Sequence, residues 1–302
     1  MQALGALLIG AGLVAGAVAL GGSHTVSPVD AVAATPPRHP VRVMSLNQCT
    51  DQIVLALLPP ERIASVTWLS RDPLTSRMAA EAMRVGANFG QGEEVLAQNP
   101  DLIITGAFTT GALKGLLRRL GYPILEVETP ESFEAIRSAT RVIADALDER
   151  GKAETMLGAM DRELAVAAAS PSYLRVVAWD GGGYAPGSGT LYHAILTAAG
   201  AINVAAEAGV STYAEFDAEA LLQSAPDALV QGVSRADQPG RRRDVARHPL
   251  ARHVYGERTV TVPQSLYVCG TPYSAEAVSV LHAAFAKLKA EGLDVPPFAR
   301  AR

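Results

Sequence analysis

Gly181-Gly182-Gly183-Tyr184-Ala185-Pro186-Gly187-Ser188-Gly189 lies between a β-rich run and a helical one, where chemistry is often placed. Its glycines would let a ligand approach the backbone closely. A dinucleotide cradle counted from Gly181 needs its third glycine where Pro186 stands, so that reading fails. No Gly-Lys-Ser/Thr occurs, which removes a phosphate loop. Pro186 and Thr190 flank Ser188 where a nucleophile elbow carries glycines. His24, His39, His193, His248, His253 and His282 stand at no metal-ligand spacing with Cys or carboxylates. His193 reads as a structural helix residue beside the glycine-rich loop. No catalytic constellation emerges, and the expectation is binding without chemistry, with no resident cofactor or metal.

Polar and aromatic residues recur just after β-rich runs, where open α/β sheets place ligands. Asn47-Gln48-Cys49-Thr50-Asp51 follows the first run, although Thr50 or Asp51 also suits a helix N-cap. Trp68 to Asp72, with Arg71, follows the second, and Phe108-Thr109 follows a third. The second half offers Trp179 and Tyr184 with Gly182, then Ser234-Arg235, then Tyr267 to Tyr273. Aromatics are only 5% of the chain, so their gathering at strand ends suits an apolar cleft with a few placed polar groups. Arg71 or Arg235 could meet an anionic chelate.

The elements that must position these residues alternate. Strands are expected at 41–46, 63–67, 102–105 and 124–127, with helices at 53–58, 93–98 and 111–120 between them. The second half repeats the pattern: strands at 173–179, 228–231 and 259–262, helices at 191–199, 218–223 and 275–290. Strands separated by helices predict a mostly parallel α/β sheet. Residues 131–169 form a proline-free helical pattern that, as one helix at ~1.5 Å per residue, would span roughly 55 Å. The alternative is two shorter antiparallel helices turning near Gly151.

A weak repeat organises the halves. Phe89-Gly-Gln-Gly-Glu93-Glu-Val-Leu-Ala-Gln-Asn-Pro100-Asp101-Leu-Ile-Ile echoes Phe216-Asp-Ala-Glu219-Ala-Leu-Leu-Gln-Ser-Ala-Pro226-Asp227-Ala-Leu-Val. Two copies on either side of a long helical stretch argue for two similar lobes. The chain of 302 residues is long enough for both. A net charge of −4 gives no basic surface for nucleic acid, and Arg241-Arg242-Arg243 reads as a solvated face.

Ala3 to Leu20 is apolar and Ala31-Val32-Ala33 offers a small-x-small cleavage pattern, so residues 1–34 read as a signal peptide or an N-terminal anchor. Export out of the cytoplasm is the expectation. The two Cys, Cys49 and Cys269, are either a disulfide or separate buried thiols.

Val43-Met-Ser-Leu-Asn-Gln-Cys-Thr-Asp51, the Pro-Glu-Arg-Ile63 turn, Glu93…Pro100-Asp101-Leu-Ile-Ile and Cys269-Gly-Thr-Pro272 resemble the cobalamin and ferric-siderophore branch of periplasmic binding proteins. The resemblance covers about residues 41 to 290. It implies two Rossmann-like lobes, at 41–130 and 172–297, joined by one long helix over 131–169, with the ligand cleft between them. It also implies that Glu93 and Glu219 dock on the permease dimer of an ABC importer; each also suits a plain helix N-terminus. Ligand contacts carry over to Asn47, Gln48 and Cys49, to Trp68 through Asp72, and to Phe89, Phe108 and Thr109. In the second lobe they carry over to Trp179 through Tyr184 and Tyr267 through Tyr273. Relatives in this branch can hold Cys at both positions, implying a Cys49–Cys269 link across the cleft edge. The cargo would be a corrinoid or a ferric siderophore and the protein a monomer. A heme carrier, with Tyr184, Tyr192 or His193 as axial ligand, is the alternative; an enzyme subunit on the same fold would need Cys or His ligands that this chain has too few of.

Overall fold

The computed structural model of the protein describes residues 35, 37–179, 183–233 and 253–292. Strands β1 (Val43–Ser45), β2 (Ile63–Thr67), β3 (Ala87–Asn88), β4 (Leu102–Gly106) and β5 (Ile124–Val127) form a parallel sheet in the order β3-β2-β1-β4-β5. Strands β6 (Arg175–Ala178), β8 (Ile202–Asn203), β10 (Ala228–Val233) and β11 (Thr259–Pro263) form a second parallel sheet, ordered β11-β10-β6-β8. Between them in sequence, β7 (Tyr184–Pro186) and β9 (Tyr213–Glu215) make a small antiparallel ribbon. The α/β alternation and the two Rossmann-like lobes read from the sequence are both present. The short strands β3, β7, β8 and β9 carry too few residues for a hydrophobic period to reveal them.

Helices α1 (Gln48–Leu57), α2 (Ala79–Ala82), α3 (Gly92–Gln98) and α4 (Gly111–Arg119) accompany the first sheet. Helices α7 (Leu191–Ala198), α8 (Val204–Glu207), α9 (Ala218–Ser224) and α10 (Ser274–Ala290) accompany the second. In β1 and β4 every residue is buried, as expected of strands covered on both faces. The two-residue period divides them. Val43, Leu102 and Ile104 join a core with α1 residues Ile53 and Val54, whereas Met44 and Ile103 join Val95 and Leu117 on the opposite face. Each such side chain contributes about 1.5–3 kcal/mol through burial.

The repeated segments have matching geometry. Helices α3 and α9 both end on a left-handed residue, Asn99 (φ 42°) and Ala225 (φ 43°). The Pro-Asp carboxylate then accepts from the backbone entering the neighbouring strand. Asp101 takes the N–H groups of Val41 (2.8 Å) and Arg42 (3.0 Å), and Asp227 that of Arg175 (2.7 Å). Each Asp thus sets the register of β4 on β1, or of β10 on β6.

Residues 131–169 are not one rod. Helices α5 (Phe133–Leu147) and α6 (Arg150–Ala168) are separated at Asp148, which takes φ 58°, ψ 42°. Glu149 N–H reaches Ala144 O (2.9 Å) and Asp148 N–H reaches Asp145 O (3.3 Å), a Schellman closure with Asp in the glycine place. Arg62 locks this turn, donating to Leu147 O (2.7 Å), Glu149 Oε1 (2.6 Å) and Pro40 O (2.8 Å). The break falls three residues before Gly151, so the alternative of two shorter helices turning near that glycine is the arrangement present. The two helices pack against each other and both bridge the lobes. Ile136 on α5 lies in the second core and Ile143 and Leu147 in the first; on α6, Ala153 lies in the first and Leu157, Met160 and Ala167 in the second.

Candidate functional site

In the first sheet the order reverses between β1 and β4, and Asn47 and Gly106 stand at the carboxyl ends of those strands, where a doubly wound sheet opens a crevice. Asn47 caps α1, its Oδ1 accepting from Cys49 N (2.9 Å) and Thr50 N (3.3 Å), which is why the helix starts at Gln48 rather than at 53. A Cβ on Gly106 would lie 2.6 Å from the Asn47 amide, so any larger residue here would have to displace that cap. Thr109 is buried and its Oγ1 donates to Leu46 O (3.1 Å), a turn that leaves Phe108 84% exposed. Ile53, Val127, Ala139 and Ile143 line a small apolar pocket beside Phe108, with Glu128 and Gly270 also lining it.

An aromatic shelf continues along the same sheet edge. Asp51, fully buried in the first turn of α1, accepts on Oδ2 from Thr67 N (2.8 Å), Thr67 Oγ1 (2.6 Å) and Ser70 Oγ (2.7 Å). These bonds hold the end of β2 and the 3₁₀ turn Trp68–Arg71. Burial pushes the Asp51 carboxyl up to about 7, against the hydroxyls of Ser45, Thr67 and Ser70, which pull it down. Asn88 fixes the next strand by donating to Ser45 O and Ser65 Oγ (both 3.0 Å). Trp68 and Phe89, the residues after these two strands, therefore project together with ring centroids 6.2 Å apart at 27°. They remain 46% and 65% exposed.

The second lobe presents Tyr184 and Tyr213 on its ribbon. The pairs Tyr184–Glu215 and Pro186–Tyr213 put both tyrosines on one face, and both are exposed. Tyr213 was not legible in the sequence, since β9 is too short for its period to be read. Trp179, expected in the cleft, is instead core: it is 2% exposed and its Nε1–H donates to Phe216 O (2.9 Å). Tyr267 is half-buried, edge-on to Tyr192 with centroids 4.7 Å apart, and its hydroxyl crosses Gly232 so closely that no Cβ fits there. Tyr192 is 6% exposed and His193 is half-buried, with its pKa pushed down by burial.

Several other expected ligand residues serve the scaffold. Gln48 Nε2 donates to Thr75 O (3.0 Å) and Thr75 Oγ1 (2.9 Å). Arg71 spends its guanidinium on Val85 O (2.7 Å) and Ala82 O (3.3 Å), because the loop before β3 presents free carbonyls to it. Asp72 accepts from Leu74 N (3.0 Å) in a tight turn. Cys49 is bonded to Cys269, with Cα atoms 5.0 Å apart, and Tyr273 is half-buried against the first core with the Arg77 guanidinium 5.6 Å above its ring. Gly182, Ser234 and Arg235 lie outside the described residues. Glu93 and Glu219 are both exposed in the first turns of α3 and α9. Neighbouring Glu94 closes the capping box by accepting from Gln91 N (2.9 Å). Among the described residues, no group of three or more His, Cys, Asp or Glu could hold a metal ion, and no helix is long and apolar enough to cross a membrane.

The family model described as periplasmic binding protein matches residues 43–255, more than half of the chain. The chain belongs to the periplasmic binding protein family. Membership implies an exported location, and the family consists of binding proteins rather than enzymes. This periplasmic binding protein is 26% identical over 206 residues to a protein named cobalamin-binding protein in Halobacterium salinarum, covering 65% of this chain and 54% of the relative. It thus spans about half the length of the curated relatives it matches. Its fold resembles the periplasmic heme-binding protein RhuT of Roseiflexus sp. RS-1 (TM-score 0.64, 22% identity, 82% of this chain and 98% of that chain). It also resembles the periplasmic vitamin B12 binding protein BtuF of Vibrio cholerae (TM-score 0.63, 19% identity, 84% and 99%).

Proposed function

We propose that this protein is the solute-binding component of an ABC importer, and that it holds a bulky, near-neutral metal chelate of the corrinoid class in the cleft between its lobes. The observation that carries this reading is the aromatic wall. Trp68, Phe89 and Phe108 stand exposed at the carboxyl edge of the first sheet, and Tyr184 and Tyr213 are exposed on the second-lobe ribbon. Exposed aromatic groups of this kind offer flat apolar area at little cost in side-chain entropy. Arg71, one of the two arginines that could have met an anionic siderophore, is tied to backbone carbonyls, and Arg235 lies outside the described residues. The relative named as cobalamin-binding and the vitamin B12 binding protein of similar fold support a corrinoid.

Heme is the second reading, supported by the exposed phenol of Tyr184 and by the heme-binding proteins of similar fold. Tyr192 is too buried to reach a porphyrin iron. Delivery would place Glu93 and Glu219, one exposed on each lobe, against cationic residues of the permease dimer. Native mass spectrometry of the exported protein against cyanocobalamin, hemin and a ferric hydroxamate tests the reading. A one-to-one cyanocobalamin complex is expected. A Soret band with hemin that is lost in Tyr184→Phe selects heme instead, and no complex with any of the three overturns the chelate reading.

A further inference from the structure

The segment from Cys269 to Glu276 belongs to the second lobe by sequence but is fastened to the first at four points. Cys269 is bonded to Cys49 at the start of α1. Gly270 sits so tightly on Pro130 that a Cβ would lie 2.5 Å from the Pro130 carbonyl oxygen. Tyr273 packs against the first core rather than the second. Glu276 pairs with Arg77, whose Nε lies 2.9 Å and 3.1 Å from the two carboxylate oxygens while its guanidinium covers the Tyr273 ring. Arg77 is itself held, its backbone N–H donating to Gln52 Oε1 (3.0 Å). On the other side, Ser274 Oγ donates to Cys269 O (3.2 Å), and Ala275, Ala277 and Val278 anchor α10 in the second core.

From these contacts we infer that residues 269–276 are an interlobe clasp: Cys49–Cys269, Gly270, Tyr273 and the Arg77–Glu276 pair set the separation of the lobes and limit how far the cleft opens. The inference rests on the binding reading only for its kinetic consequence. With the helices α5 and α6 as one connection and the clasp as another, separation at the cleft is opposed at two places rather than one. The clasp borders the apolar pocket under Phe108, since Cys49 and Gly270 both line it. Opening would therefore have to strain the clasp before a large ligand could enter or leave. Tyr273 and Cys49 are positioning residues in this account and not ligand contacts.

Hydrogen exchange of the full exported chain tests the clasp without any ligand. The native protein is compared with its phosphine-reduced form, with Cys49→Ser/Cys269→Ser, and with Gly270→Ala and Glu276→Gln. Amides of residues 270–276 and 77–82 are expected to exchange about tenfold faster or more when the disulfide is lost, with β4 and β10 unchanged. Glu276→Gln should have a small effect alone and a larger one once the disulfide is gone. Cyanocobalamin stopped-flow supplies the second arm: loss of the clasp should accelerate both association and dissociation by about tenfold. Simple destabilisation would lower the melting temperature without speeding association. Unchanged exchange at 270–276 in the reduced and the double-serine proteins overturns the clasp. Failure of cyanocobalamin to bind counts against the corrinoid reading and leaves the exchange arm to decide.

Discussion

Asn47 and Gly106 face each other across the ends of β1 and β4, and a Cβ at position 106 would lie 2.6 Å from the Asn47 Cγ and Nδ2. The same amide caps α1, so cap, helix start and crevice floor depend on one contact. Gly106→Ala should displace the cap, at about 1 kcal/mol, and overpack the crevice, at about 1–3 kcal/mol. Urea unfolding should show a loss of about 2–4 kcal/mol in sum, and Trp quenching by cyanocobalamin should weaken. In the Asn47→Ala background the Gly106→Ala cost should shrink, because the clash is gone.

Asp51 makes stability depend on pH in a defined direction. Burial raises its carboxyl from 3.8 to about 7 in the folded protein. Between those values the folded state keeps a proton that the unfolded chain has released, so this group's contribution falls as pH rises and levels off above about 7. The full swing is on the order of 4 kcal/mol. Thermal melts from pH 5 to 8 should show the decline, and Asp51→Asn should flatten it while keeping an oxygen acceptor for Thr67 and Ser70. An equally steep decline in Asp51→Asn would assign the pH dependence to other groups.

Trp68 and Phe89 are exposed enough to be removed without unfolding the lobe. Trp68→Ala and Phe89→Ala should each shift unfolding by less than about 0.5–1 kcal/mol. On the aromatic-wall reading each should weaken chelate binding by about tenfold to a hundredfold in titration calorimetry, as for buried aromatic anchors. Full affinity in the double variant would move the ligand away from the shelf.

Glu93 and Glu219 allow docking to be separated from capture. Glu93→Arg with Glu219→Arg should leave chelate affinity within about twofold while abolishing uptake into vesicles carrying the cognate permease. Uptake at the native rate would remove both residues from the docking surface. Glu94→Ala is the contrasting variant, since Glu94 accepts from Phe89 N and Gln91 N and its loss should instead fray α3.

The alternation of strands and helices was legible because both sheets are parallel and buried, which writes continuous apolar runs such as Leu102 to Ile104 into the chain. The repeated Pro-Asp segments were legible as a repeat of residue types, although the bonds that each Asp makes join it to backbone 60 and 52 positions earlier in the chain. The loop positions after β1, β2 and β4 followed from the same alternation. Local order of this kind depends on neighbours a few residues away.

What each of those loop side chains touches was decided only by tertiary structure. Trp179 and Tyr184 both follow β6, yet one is core and the other exposed. Arg71 and Arg77 are six positions apart, yet Arg71 caps carbonyls in its own lobe and Arg77 reaches Glu276 across the cleft. The break at Asp148 depends on Arg62, and the Cys49–Cys269 bond on how two sheets are set against each other. Sequence alone determined the longer strands and helices and the positions at the strand ends, because backbone periodicity is local. The choice between cleft, core and clasp came from packing between residues distant in the chain, which no local pattern encodes.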